Sequence, residues 1–126
     1  DRNCIAQRAV ITALEAPPKN VEYMIKEFKI RRDLILNLLS EIDGFSCNVP
    51  EGAFYVFPDI SSLFGKTFRS KKIKTATDLS LYLLEEALVA TVSGDAFGNP
   101  NCIRISYAAS QAQITEAVLR IKKALA

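Results

Sequence analysis

A single long stripe constrains this chain more than any other feature. Val21, Met24, Ile25, Phe28, Ile35, Leu38, Leu39 and Ile42 recur mostly at three- and four-residue spacing, the signature of an amphipathic helix. Asn20 is placed to cap its start, and Gly44 suits the left-handed residue beyond its end. The spacing therefore predicts a helix from Val21 to Asp43, interrupted in its stripe at Arg31-Arg32. A helix of that length in a chain of 126 residues has two possible roles. Either it packs along one face of a sheet, or its first half packs against something outside this chain.

The neighbouring segments supply that sheet and its other helices. Asn3 to Leu14 reads as a short helix, separated by Pro17-Pro18, which breaks the pattern because proline lacks the amide hydrogen. Phe45–Asn48 and Ala53–Phe57 read as two strands of a hairpin around the turn Val49-Pro50-Glu51-Gly52. Ser61 to Thr75 reads as a loop. Thr77 is placed to cap a helix running to Ala87, followed by a strand over Leu88–Val92 and a turn-rich loop over Ser93–Pro100. In the strand Ile103–Ala108, Ile103, Ile105 and Tyr107 point one way and Arg104, Ser106 and Ala108 the other. Ser110 and Gln113 form a capping box for a last helix with an apolar face of Ile114, Ala117, Val118, Ile121 and Leu125. The expected class is α+β: a small mixed sheet with helices packed on one face, preceded by a long helix.

Composition excludes much chemistry. There is no histidine, which removes His-dependent triads, HExxH zinc sites and imidazole switches. Cys4, Cys47 and Cys102 are far apart and odd in number, against a disulfide framework and in keeping with a reducing cytoplasm. A net charge of +2 does not call for nucleic acid, and no apolar run approaches a membrane span. Lys66, Arg69, Lys71, Lys72 and Lys74 cluster in the 61–75 loop without an acid among them. They read either as an anion or nucleic-acid patch or as a solvated loop. The chain begins at Asp1 and its only methionine is Met24, so a processed chain or a cut-out domain is expected.

Arg104 is the residue singled out for chemistry. It alternates with apolar residues on a strand that follows a Gly/Asn/Pro loop. A guanidinium held on a rigid strand presents a planar fork matched to a carboxylate or phosphate; the plainer alternative is a solvated or ion-paired surface arginine. Asp59 and Asp95 stand beside turn residues, where aspartate commonly starts a turn. Ser70-Lys71 lies in the charged loop with no supporting pattern.

Four segments together resemble one family. Pro50-Glu51-Gly52-Ala53-Phe54-Tyr55-Val56-Phe57-Pro58-Asp59-Ile60 is similar to a P-x-G-x-F-Y-x-F/L-x-D-I run of class I/II aminotransferases, the aspartate aminotransferase family of fold type I pyridoxal phosphate enzymes. Val89 to Gly98 resembles that family's V-x-V-x-P-G-x-x-F-G, with Ser93-Gly94 in place of Pro-Gly. Ile103-Arg104-Ile105-Ser106-Tyr107-Ala108 resembles h-R-[IL]-S-[YF]-A, and Cys4-Ile5-Ala6-Gln7-Arg8-Ala9 resembles S-I-A-Q-x-A, although Asp1-Arg2-Asn3 departs from the run common before it.

The resemblance implies the C-terminal small domain over 17–126, with 1–16 a helix of the large domain. It implies that Arg104 binds the substrate α-carboxylate and that Phe97 lies in the loop closing near it. Pyridoxal 5'-phosphate is implied for the full-length enzyme. So are amino-acid and 2-oxo-acid substrates and a homodimer. The Schiff-base lysine is expected upstream of this chain, because Ser70-Lys71 is followed by Lys72-Ile73-Lys74-Thr75 rather than by the family's glycine-bearing run. No cofactor-binding, catalytic or metal residue is therefore expected in the chain itself. Aspartate-like specificity is expected. Aromatic, branched-chain or kynurenine specificity, a related lyase, or a non-catalytic amino-acid or partner-binding module are the alternatives.

Overall fold

The computed structural model describes residues 3–126; the departure at Asp1-Arg2 lies outside them. Helix α1 (Cys4–Glu15) starts where the Asn3 side chain accepts from the amides of Ile5 and Ala6 at 2.9 and 3.4 Å. None of its residues is buried. Pro17 then leads into a 3-10 turn over Pro18–Asn20.

The long helix α2 spans Glu22–Ser40. Asn20 does not cap it: its amide donates to the Pro17 carbonyl at 3.0 Å inside the 3-10 turn, and Val21 takes the cap position without a side-chain bond. Its end comes before Asp43, because the amides of Glu41 and Ile42 reach the carbonyls of Leu38 and Leu39 in a tighter, three-residue pattern. Gly44 follows at φ +101°, as the C-terminal signal predicts. Burial divides the helix: Ile35 and Leu39 are in the core, whereas Met24 and Ile25 are exposed, as is the cap residue Val21.

Three short strands form the sheet, in the order β1 (Tyr55–Val56), β5 (Ile103–Ser106), β4 (Val92–Ser93). A mixed sheet is expected from the sequence; every strand pair among the described residues is instead antiparallel, and β4 and β5 are joined by a connection too short for a parallel crossover. The expected hairpin of 45–48 with 53–57 does not form. Ser46 instead exchanges backbone bonds with Asp59 at 2.9 and 2.8 Å, and the Pro50 turn bows outward, where Arg32 donates to the Pro50 carbonyl at 3.1 Å. The 61–75 loop holds a 3-10 turn, Ser61–Leu63, and a hairpin of β2 (Thr67–Phe68) and β3 (Lys71–Lys72). Its connecting residues Arg69 and Ser70 both have positive φ, the geometry that a two-residue turn demands and that usually selects Asn-Gly. The predicted strand 88–92 shrinks to Val92–Ser93 because Leu88 takes φ 55°, which breaks an extended chain.

Helix α3 spans Ala76–Glu86 and is capped by Thr75, not Thr77. Thr75 is extended and forms a capping box with Asp78, whereas the Thr77 hydroxyl, one residue inside the helix, donates to Asp95 at 3.2 Å. Helix α4 (Gln111–Ala124) begins with the Ser110/Gln113 capping box that the sequence predicts, and buries Ile114, Val118, Ile121 and Ala124. Helices α2, α3 and α4 share one apolar core with the inward residues Val56, Ile103 and Ile105. The Tyr82 hydroxyl donates to the Ala124 carbonyl at 2.7 Å, tying α3 to the end of α4. The expected α+β arrangement stands, with the opposite sheet face left open.

Candidate functional site

The open face is built by alternation. Along β5, Ile103 and Ile105 are buried, Arg104 is half-buried and Ser106 exposed. Register places Val92 opposite Arg104 and Tyr55 opposite Ser106, so Tyr55 is the diagonal neighbour of Arg104, within reach of a large ring. The guanidinium carbon lies 5.4 Å from the centroid of the Tyr55 ring.

Phe97 arrives from the other side through a 3-10 turn, Gly94–Phe97. The Gly94 amide donates to the Cys102 carbonyl at 2.7 Å, and the Gly94 carbonyl accepts from Asn99 at 3.1 Å. No side chain fits at Gly94, because a Cβ would run into the carbonyl oxygens of Asn99 and Cys102. Asp95 braces the turn by accepting from the hydroxyls of Ser93 at 2.7 Å and Thr77 at 3.2 Å, which is the turn role that its position suggests. Gly98 closes the turn in the left-handed region. The Phe97 ring centroid then lies 4.5 Å from the Arg104 guanidinium carbon. Behind it, Phe57 meets Phe97 edge-on at 6.1 Å.

Arg104 and Phe97, the two site residues expected from the sequence, are thus in contact. Among the described residues no carboxylate lies within ion-pairing distance of Arg104. Of the plainer alternative, a solvated or ion-paired arginine, the ion-paired form does not occur among the described residues. Arg31, Arg32, Arg69 and Arg120 all are ion-paired. An aromatic-backed guanidinium without an anion can offer its N–H donors to an incoming carboxylate in two-pronged fashion.

In the basic loop, two of the five cations are ion-paired. Lys71 pairs with Glu85 and Arg69 with Glu86 at 3.1 Å, so part of its charge is answered by α3; the Lys71 hydrogen bond to Glu85 also pushes that ammonium pKa upward. Asp59 is held below the usual carboxylate range by the Ser61 hydroxyl and amide, the local turn role again. Cys47 and Cys102 are not activated: burial pushes the Cys47 thiol up to about 11 and raises that of Cys102. No group of three metal-ligating side chains occurs among the described residues.

A concavity of about 610 Å³ lies between the first half of α2 and the Pro50 turn, and Arg104 does not line it. Val21, Met24, Ile25 and Phe28 line it. Lys29, Arg32, Glu51 and Tyr107 complete its walls, but neither Arg104 nor Phe97 is among them, so the two residues singled out from the sequence meet on the open sheet face instead.

Residues 4–121 match the family described as aminotransferase class I and II. The chain belongs to that family. It is 48% identical over 121 residues to an aspartate aminotransferase of Rhizobium meliloti, covering 95% of this chain and 30% of that protein. It is 46% identical over 125 residues to a bifunctional aspartate aminotransferase and glutamate/aspartate-prephenate aminotransferase of Petunia hybrida, covering 96% of this chain and 26% of the relative. The crystal structure of the Rhizobium meliloti aspartate aminotransferase superposes with a TM-score of 0.89 over 96% of this chain and 30% of that one, at 48% identity. The chain therefore spans about a third or less of the length of these aminotransferases. No helix among the described residues is long and apolar enough to cross a membrane.

The cofactor of the family finds no holder on the described face. Tyr55, Phe57 and Phe97 around Arg104 are aromatic, and offer neither an amine for covalent attachment nor a cradle of amides for a phosphate. Tyr55 is the neighbour of Arg104 that sequence reasoning misses. Its place in the family-like run was visible, but its diagonal position to Arg104 depends on strand register.

Proposed function

We propose that the full-length protein is a pyridoxal phosphate-dependent amino-acid aminotransferase, aspartate-like in substrate, and that this chain supplies the grip on the substrate α-carboxylate. The observation that carries this is Arg104: a half-buried guanidinium on a strand, backed by aromatic rings, with no anion paired to it among the described residues. Its two-pronged bond to a carboxylate would fix the rotation of the amino acid about the α-carbon. Phe97, 48% exposed, would form the lip of the pocket and exclude water beside that ion pair. Pyridoxal 5'-phosphate, when bound, supplies an electron sink for bonds to the α-carbon; the residues that hold it are assigned to parts of the protein beyond this chain.

In this reading residues 17–126 are the small domain, and α1 belongs with the large domain. The exposure of its apolar residues, Leu14 at 82% among them, supports that assignment. A homodimer of the full-length enzyme, amino-acid and 2-oxo-acid substrates, and a cytoplasmic location complete the proposal.

The test is Arg104→Lys in the full-length enzyme. Lysine keeps the charge and loses the fork, so kcat/KM for the amino acid should fall by about 2–4 kcal/mol in transition-state terms. The melting temperature should stay close to that of the parent, because the side chain faces away from Ile103 and Ile105. An unfolded variant, or one with unchanged kinetics, would make Arg104 structural.

A further inference from the structure

We propose that Tyr55 is a positioning residue: its ring, together with that of Phe97, fixes the guanidinium plane of Arg104 for carboxylate capture. The proposal rests on the reading of Arg104 as the carboxylate grip. A long arginine side chain carries considerable rotamer freedom, and a fork that must meet a carboxylate with both prongs has to be held beforehand. Arginines are commonly held by a carboxylate, as Glu27 holds Arg31 at 2.8 Å. That solution would occupy the donors the ligand needs.

Arg104 is held differently. The Tyr55 and Phe97 centroids lie 5.4 and 4.5 Å from its guanidinium carbon, both inside the range of cation–π attraction. Ring faces attract the cation without accepting its N–H groups in ordinary hydrogen bonds, so the in-plane donors stay free. The rings are themselves braced. Phe54 stands edge-on to Tyr55 at 6.0 Å and 89°, and Phe57 edge-on to Phe97 at 6.1 Å and 86°. Backbone register places Tyr55 opposite Ser106. Phe97 is placed by the turn that Gly94 permits. Two independent elements therefore converge on one guanidinium. No hydrogen bond of the Tyr55 hydroxyl occurs among the described residues, so it is the ring rather than the hydroxyl that acts.

The experiment uses the full-length enzyme, the single variants Tyr55→Phe, Tyr55→Leu and Arg104→Lys, and the double variant of the last two, with two readouts. One is KM and kcat for the amino-acid substrate. The other is the dissociation constant of succinate, a dicarboxylate that cannot react, by calorimetry. Tyr55→Phe should stay within about twofold of the parent, because the ring is kept. Tyr55→Leu should raise KM and the succinate constant together by about 3- to 30-fold, the span of one cation–π contact, with the melting temperature little changed. Combining Tyr55→Leu with Arg104→Lys should add little to Arg104→Lys alone, since the clamp acts only through the fork.

Unchanged KM and succinate binding in Tyr55→Leu, beside an impaired Arg104→Lys, overturns the clamp while leaving the grip intact. Unchanged binding in Arg104→Lys overturns the grip itself. Tyr55→Phe as damaging as Tyr55→Leu assigns the effect to the hydroxyl and likewise overturns the clamp. Should Tyr55→Leu not fold, Phe97→Leu, on an exposed turn, carries the same expectation, and unchanged binding there overturns it.

Discussion

Replacing Gly94 by alanine should damage this fold out of proportion to the single methyl added. The new Cβ would collide with the carbonyl oxygens of Asn99 and Cys102 and lie 3.0 Å from the Cys102 carbonyl carbon. These are backbone atoms, and neither can swing aside as a side chain would. Overpacking of this kind costs about 1–3 kcal/mol. Relief requires lengthening the Gly94 amide bond to Cys102, now 2.7 Å, or the Asn99 bond to the Gly94 carbonyl, now 3.1 Å, each worth about 1 kcal/mol. Against this, alanine restricts the unfolded chain, a gain of about 0.4–1 kcal/mol where the backbone accepts it; Gly94 is not among the positive-φ glycines, so that gain applies. The net loss is about 2–4 kcal/mol, and for a domain of this size the melting temperature should drop by about 10 °C or more. Thermal unfolding followed by far-ultraviolet circular dichroism measures it. Gly98→Ala is the control: a Cβ there meets nothing within 4 Å, but φ is +80°, so the cost is conformational alone, about 1–2 kcal/mol. Gly94→Ala melting within about 2 °C of the parent, a shift worth well under 1 kcal/mol, would refute the steric reasoning.

Two further predictions concern titratable groups. The Asp78 carboxylate accepts from the Lys74 amide at 2.9 Å and the Thr75 amide at 3.0 Å, and the Lys74 backbone bond is the leading reason that its pKa is depressed. A group whose folded pKa lies below its unfolded one adds stability above the ordinary carboxylate range, and loses it as pH falls through the depressed value. Denaturant titrations should therefore show a shallower acid loss of stability below about pH 4 in Asp78→Asn than in the parent, and identical slopes would refute the assignment. For the thiols, a disulfide reagent at pH 8 should label Cys4, which is exposed, well before Cys47 and Cys102. Burial holds Cys47 protonated, with a pKa pushed up to about 11; equal rates at all three would contradict that packing.

What could be read from the chain, and what could not, follows from the range of each interaction. The α4 capping box joins Ser110 to Gln113, three residues apart, and the alternation that buries Ile103 and Ile105 while turning Arg104 outward is local too. Both were legible. The α3 cap was misplaced by two residues because Thr75 and Thr77 are equally good caps in isolation; the choice is made by Asp78 bonding back to Thr75 and by Asp95 engaging Thr77 from another turn. The β2–β3 hairpin carries no turn signal in the sequence, because Arg69-Ser70 occupies a turn that favours asparagine and glycine. At the site, Arg104 and Phe97 could be found in short motifs. Tyr55 could not be linked to Arg104 by any local pattern, since pairing across β1 and β5 joins residues some fifty positions apart.

The division of α2 into a buried half and a bare half, continued by the wholly exposed α1, has a consequence in area. A compact monomer of this mass would present about 6,700 Å² to water. This chain presents 8403 Å². The surplus, about 1,700 Å², is what one partner contributes to a large, permanent interface. It falls where Ile5, Val10, Ile11, Leu14, Val21 and Ile25 stand open to solvent. With each buried apolar Å² worth about 25 cal/mol, covering that flank would stabilise the chain more than any single contact inside its own core.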